Sequence, residues 1–213
     1  MKTDELISML ASDTLPVGLR GWRRRFGWAL AGGLGLALML MVLLLGLRPD
    51  IAAAVTLPMF WVKLAFPAAF AAAALMMLLR LARPGLALGY TGFALAAPVL
   101  VIWLLAALSL QGTSAAERSM LVWGETWSAC LISVPLLAVP AFVLLFGVLK
   151  TLAPVRPALA GAAAGALSGG ISAAAYALHC PELAPVFIGL WYLLGMLVPA
   201  ALGAAMGPRI LRW

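Results

Sequence analysis

Apolar residues fall in six long runs along this chain, at 26–47, 59–79, 86–108, 128–149, 158–178 and 186–206. A helix needs about 20 mainly apolar residues to cross the hydrocarbon core of a bilayer, and each run supplies them. Short polar or proline-containing joints separate the runs: RPD at 48–50, RLARPG at 80–85, KTLAPVRP at 150–157 and HCPELAP at 179–185, with the longest at 109–127. Backbone groups in lipid must be paired internally, so the spans are helices unless they close a barrel. Barrel strands alternate apolar and polar residues over about ten positions, and these runs do not alternate. The pattern predicts an all-α polytopic membrane protein: a six-helix transmembrane bundle over 26–213, preceded by a cytoplasmic arm at 1–25.

Composition sharpens this reading. Hydrophobic residues make up 65% of the 213 and charged residues 10%, where soluble domains carry about 25% charged. So few charges do not cover so much apolar surface in water. The net charge of +7 would suggest nucleic-acid binding in a soluble protein, but here the bases flank apolar runs. Eleven of the 14 basic residues lie at the N-terminus (Lys2, Arg20, Arg23, Arg24, Arg25), in the even joints (Arg80, Arg83, Lys150, Arg156) or at the C-terminus (Arg209, Arg212). The positive-inside rule then puts both termini in the cytoplasm. Arginines before an apolar stretch also open secretory signals, yet the run at 26–47 exceeds the roughly 7–15 residues of a cleavable core. It is expected to be retained.

A weak repeat marks the even spans. Each opens near a tryptophan (Trp61, Trp127, Trp191), carries a proline about two turns later (Pro67, Pro135, Pro199) and ends on a base (Arg80, Lys150, Arg209). Three related helical hairpins would produce this, as would an aromatic belt plus tolerated kinks. Gly161, Gly165 and Gly169, with Gly203 and Gly207, have the every-fourth spacing that lets helix backbones approach closely. The contact they serve lies either within the bundle or between copies of the chain.

Candidate chemistry is sparse. Within the spans the ionisable residue is Lys63, expected to snorkel from near a helix end to the outer interface. Phosphate loops, Ser/His/Asp arrangements and HExxH are missing, so no enzyme activity and no cofactor are expected. Cys130 and Cys180 are the two cysteines and His179 the one histidine. The topology brings both thiols to the outer, oxidising face at similar depth. A disulfide between them would close a loop of about 50 residues and constrain the unfolded chain by roughly 4 kcal/mol. A structural staple, two inert small hydrophobes, and a redox- or metal-responsive pair with His179 or Glu182 as auxiliary ligand all fit this placement.

The arm offers a short amphipathic helix. Thr3 can cap it, Asp4 and Glu5 favour its first turn, and Leu6, Met9 and Leu10 share a face that Asp13 extends. It fits a groove on a cytoplasmic partner or the membrane surface.

The opening MKTDELISMLASD, GLRPD at 46–50, FWVKLAF at 60–66, YALHCPE at 176–182 and the closing LGAAMGPRILRW resemble the NrsF family of bacterial inner-membrane anti-sigma factors. The resemblance runs from end to end, and HCPE after an alanine-rich span is its most specific piece. It implies that an extracytoplasmic-function sigma factor is held away from RNA polymerase, with Cys130 and Cys180 taking part in signal perception. Asp4, Leu6, Met9, Leu10 and Asp13 are then the expected sigma-binding surface, because little else protrudes. A small-solute transporter or channel is the competing reading, and a quinone-linked thiol oxidoreductase a third.

Overall fold

The fold comes from a computed structural model that describes residues 19–83, 86–152 and 154–212. The expected sigma-binding residues Asp4, Leu6, Met9, Leu10 and Asp13 lie outside them. Six helices are long and apolar enough to cross a membrane. They are α1 (Leu19–Leu44), α3 (Pro58–Leu81), α4 (Thr91–Leu110), α6 (Trp127–Lys150), α7 (Pro157–Tyr176) and α8 (Pro185–Ile210). Two short helices, α2 (Ile51–Ala54) and α5 (Ala115–Trp123), lie in the joints.

Local chemistry sets several boundaries. The arginine run is itself helical, so α1 continues unbroken across the expected arm boundary at residues 25/26. Gly46 (φ 77°) turns the chain out of α1 before the apolar run is exhausted. Gly89 (φ 53°) similarly delays α4. Proline starts α3, α7 and α8, where its missing N–H breaks no helical bond.

The α5 helix was not expected within 109–127. Its signal is the sequence Ser114-Ala-Ala-Glu117, a capping box. The Ser114 hydroxyl accepts from the Glu117 N–H (3.4 Å), and the Glu117 carboxylate accepts from the Ser114 N–H (3.0 Å) and hydroxyl (2.8 Å). These bonds hold the Glu117 carboxyl below the usual carboxylate range.

The bundle is built around α7, which packs on α8, α3, α6 and α1. Small residues make this central position accessible. A Cβ at Gly161 would overlap the Gly203 carbonyl oxygen, one at Gly165 the Pro199 oxygen, and one at Gly207 the Pro157 oxygen. The glycine stripe therefore serves an intrachain seam where the α7 and α8 backbones touch. Gly170 makes the same kind of approach to Ala71 on α3.

At the periphery, α4 buries little besides Thr91, Ile102 and Ala106. Its exposed Phe93, Leu100 and Leu104, with Leu43 of α1 and Ile132 of α6, form an apolar outer surface suited to lipid. Because each crossing reverses the chain, the bundle has two distinct ends. Arg80, Arg83, Lys150, Arg156 and Arg209 mark a basic end. The α1–α3, α4–α6 and α7–α8 connections meet at the other.

Trp61 is 57% exposed, whereas Trp191 is 7% exposed and bonded inside the protein, so the aromatic-belt reading does not extend to Trp191.

Candidate functional site

The α7–α8 connection organises the end opposite the bases. After Tyr176 the chain turns out of the helix, with the His179 and Cys180 N–H groups both reaching back to the Tyr176 oxygen (3.0 and 3.1 Å). Pro181 prevents continuation. The Cys180 carbonyl, beyond the end of α7, has no backbone donor among the described residues, and side chains supply what the backbone does not.

Lys63 Nζ donates to that carbonyl at 2.5 Å, and Arg48 Nη1 approaches it at 3.5 Å. Lys63 comes from α3 and Arg48 from the α1–α2 joint, so two cations from separate elements converge on one oxygen. The expectation that Lys63 snorkels to the interface is corrected here: its side chain is fully buried, with 0% exposure. Its ammonium also lies 5.7 Å from the centre of the Tyr192 ring, a cation–π distance. Sequence alone does not reveal that the α7–α8 turn folds over this position and presents an acceptor.

Arg48 is fixed by a bidentate pair with Asp50, Nε to Oδ1 at 2.7 Å and Nη2 to Oδ2 at 2.6 Å. This fork holds the Asp50 carboxyl below its usual range and the Arg48 guanidinium above its own. The joint is tied down further by Arg48 N–H to the Leu178 carbonyl (3.4 Å) and by His179 Nδ1 at 2.9 Å from the Gly46 carbonyl. A carbonyl only accepts, so Nδ1 carries the proton.

Both thiols belong to this region. Cys130, in the first turn of α6, and Cys180 are fully buried and free, and both sit in the main apolar core. Cys180 Sγ lies 3.8 Å from the hydroxyl of Thr126, which precedes α6 and whose carbonyl accepts from the Cys130 N–H at 2.9 Å. One threonine thus links the two cysteine positions.

His179 and Glu182 do not join them. His179 is engaged with Gly46, while Glu182 Oε1 accepts from the Glu125 N–H at 2.8 Å and packs against Gly124 (φ 54°). Among the described residues, no three of His, Cys, Asp and Glu come together to hold a metal ion.

Two features escaped the sequence reading. Tyr176 and Tyr192 face each other with ring centres 5.8 Å apart, and neither buried hydroxyl has a hydrogen-bond partner among the described residues. Such orphaned groups are uncommon in native interiors and cost about 1–3 kcal/mol each. Tyr192 also ends a π-helical turn, Ile188–Tyr192, inside α8. Single π turns within helices concentrate at functional sites. Next to it Trp191 donates to the Val122 carbonyl (2.7 Å) and packs with Trp123 and Trp127, ring centres 4.9–5.3 Å apart. These indoles fasten α5, α6 and α8 together beside Cys130.

The result is a polar cluster inside an otherwise apolar bundle, assembled from α3, α6, α7, α8 and two joints. A buried ionisable group in a membrane span is costly to maintain and marks a functional site by default. It places two buried free thiols beside two cations that converge on the Cys180 carbonyl. Bond formation at either sulfur would disturb several helices at once.

Comparison with known proteins gives the cluster a context. Over its full length the chain is 46% identical to the probable anti-sigma-F factor NrsF of Azospira oryzae and 37% identical to the anti-sigma-F factor NrsF of Caulobacter vibrioides, each also covered completely. No solved structure matches it. Residues 10–213 match the family described as negative regulator of sigma F. This six-span chain belongs to the NrsF family.

Proposed function

We propose that the protein is a membrane-bound anti-sigma factor: it holds an extracytoplasmic-function sigma factor at the cytoplasmic face of the bacterial inner membrane and releases it when an envelope stress acts on Cys130 and Cys180. The names of its relatives support sigma binding. The arginine bias supports placing the basic end in the cytoplasm and the thiols toward the periplasm.

The observation that carries the sensing step is the convergence of Lys63 and Arg48 on the Cys180 carbonyl. Oxidation of the two thiols to a disulfide, with two electrons and two protons passing to the oxidant, pulls Cys180 toward Cys130. Metal capture would impose a comparable movement. Either event disturbs the carbonyl and its two clamps. The α7 and α8 backbones touch at Gly161, Gly165, Gly203 and Gly207, and this close seam carries the shift toward the basic end. Two packings of the bundle that the event favours differently are required. The arm at 1–25, through Leu6, Met9 and Leu10 with Asp4 and Asp13, supplies the sigma contact.

A transport path has less to draw on. Ser168 and Ser172, buried on α7, donate to the Gly165 and Gly169 carbonyls of their own helix (both 2.8 Å). Hydroxyls engaged in this way offer little to a solute.

Affinity purification of the membrane-inserted protein, followed by mass spectrometry, tests the sigma-binding reading. A sigma factor should co-purify and be lost with Leu6→Asp/Leu10→Asp in stably inserted protein. A wild-type eluate without a sigma factor would remove the reading; undiminished capture by the variant would remove the arm from it.

A further inference from the structure

At the basic end, Arg80 in the last turn of α3, Arg83 just beyond it and Arg156 at the start of α7 line one cavity of about 440 Å³, together with Leu86, Leu88 and Val155. The end of α3 and the joint after it contribute two of the three guanidinium groups, and the α6–α7 joint the third. No carboxylate lines the cavity among the described residues, whose ion pair, Arg48–Asp50, lies at the opposite end. Like charges gathered around one space repel, and an anion between them reverses the sign of that interaction.

Two of the groups are already oriented. The Arg83 guanidinium lies over the Trp22 ring, 5.2 Å from its centre. Arg80 Nη1 reaches the Ala87 and Leu88 carbonyls at 3.4 and 3.3 Å. A guanidinium has five N–H donors in a planar fork, so these contacts hold Arg80 while leaving donors unspent. Planar forks match phosphate oxygens, often bidentately.

Depth and lining define the ligand further. A helix as long as α3, 24 residues, rises about 36 Å, more than the roughly 30 Å hydrocarbon core. Arg80 near its end therefore sits at the level of lipid headgroups. Leu86, Leu88 and Val155 add apolar wall to the cationic one, which suits the glycerol end of an amphiphile better than a free ion.

We propose that this cavity binds the phosphate of an anionic phospholipid, bridging the α3–α4 and α6–α7 joints. Basic pockets between membrane helices take such headgroups. The bridge would also tether α4, which otherwise packs mainly on α3 and the start of α8. The proposal does not depend on the thiol reading.

Native mass spectrometry of the full-length protein, with phosphatidylglycerol and phosphatidylcholine as probes, provides the test. The wild type should prefer phosphatidylglycerol. Arg80→Gln/Arg83→Gln/Arg156→Gln should weaken it by about a hundredfold, or about fivefold for each single variant if the triple does not insert. Lys150→Gln/Arg209→Gln/Arg212→Gln removes the same charge outside the cavity and should retain most of the preference. Equal loss in both triples would reduce the effect to diffuse charge and overturn the proposal. Displacement of the lipid by millimolar inorganic phosphate would overturn it in favour of a soluble-anion site. Retention of phosphatidylglycerol with loss of a captured sigma factor would reassign the cavity to a protein contact.

Discussion

Lys63 on α3 and the carbonyl of Cys180, 117 residues later, are hydrogen-bonded inside the bundle. The ammonium is fully buried, and burying a cation in apolar surroundings costs several kcal/mol before its partners are counted. The carbonyl and the Tyr192 ring offset part of that cost. An arrangement held this way depends on the position of one peptide group, which makes the Cys180 turn a sensitive place to intervene.

Replacing Lys63 should loosen the turn. A hydrogen bond to a charged group contributes about 1.5–3 kcal/mol, so Lys63→Met in a Cys130→Ser background should raise maleimide labelling of Cys180 in membranes by about tenfold or more. An unchanged labelling rate would show that Lys63 does not restrain the turn.

The α7–α8 seam should tolerate no added volume. Gly165→Leu would drive a side chain into the Pro199 carbonyl and is expected to destabilise the detergent-solubilised protein by about 3 kcal/mol or more. A Cβ at Gly35 or Gly147 meets nothing within 4 Å, so alanine there should be neutral or stabilising by up to about 1 kcal/mol. Thermal unfolding of the three variants checks the contrast.

Trp191→Phe keeps a ring against Trp123 and Trp127 but loses the donor to the Val122 carbonyl. The loss should cost about 1 kcal/mol and act locally, because α5 has few other anchors. Hydrogen exchange across 117–123 should accelerate while exchange in α7 stays unchanged. Uniform acceleration would mean that the bond supports the whole bundle.

The Arg48–Asp50 fork predicts an acid limb in stability. Its carboxyl is held below the usual range, so the fork stabilises the fold above the unfolded-state value near 3.9. That contribution is lost as pH falls from there through the lower folded value. Asp50→Asn should flatten this part of the melting-temperature profile. An identical profile in both proteins would show that the fork contributes nothing.

The six spans were legible because a 20-residue apolar run has few other uses; Gly46 and Gly89 shortened two of them, while α1 extends back to Leu19 through the arginine run and α8 on to Ile210. The α5 helix was legible in principle through Ser114 and Glu117, but lay hidden in what read as a loop. Lys63 was misplaced because a side chain near a helix end snorkels unless something folds over it, and the covering turn comes from residues far along the chain. The π turn and the unpaired hydroxyls of Tyr176 and Tyr192 depend on how α7 and α8 pack, which no local pattern encodes. Both cysteines were assigned to one end of the bundle from topology alone; their burial as free thiols needed coordinates.

The coupling claim is tested most directly by sigma-factor release from membrane vesicles carrying the wild type or Cys130→Ser/Cys180→Ser, before and after treatment with a membrane-permeant thiol oxidant. The proposed mechanism predicts that oxidant frees the sigma factor from wild-type vesicles and leaves it bound to the double variant. Equal release from both would contradict it and leave the two cysteines as packing residues.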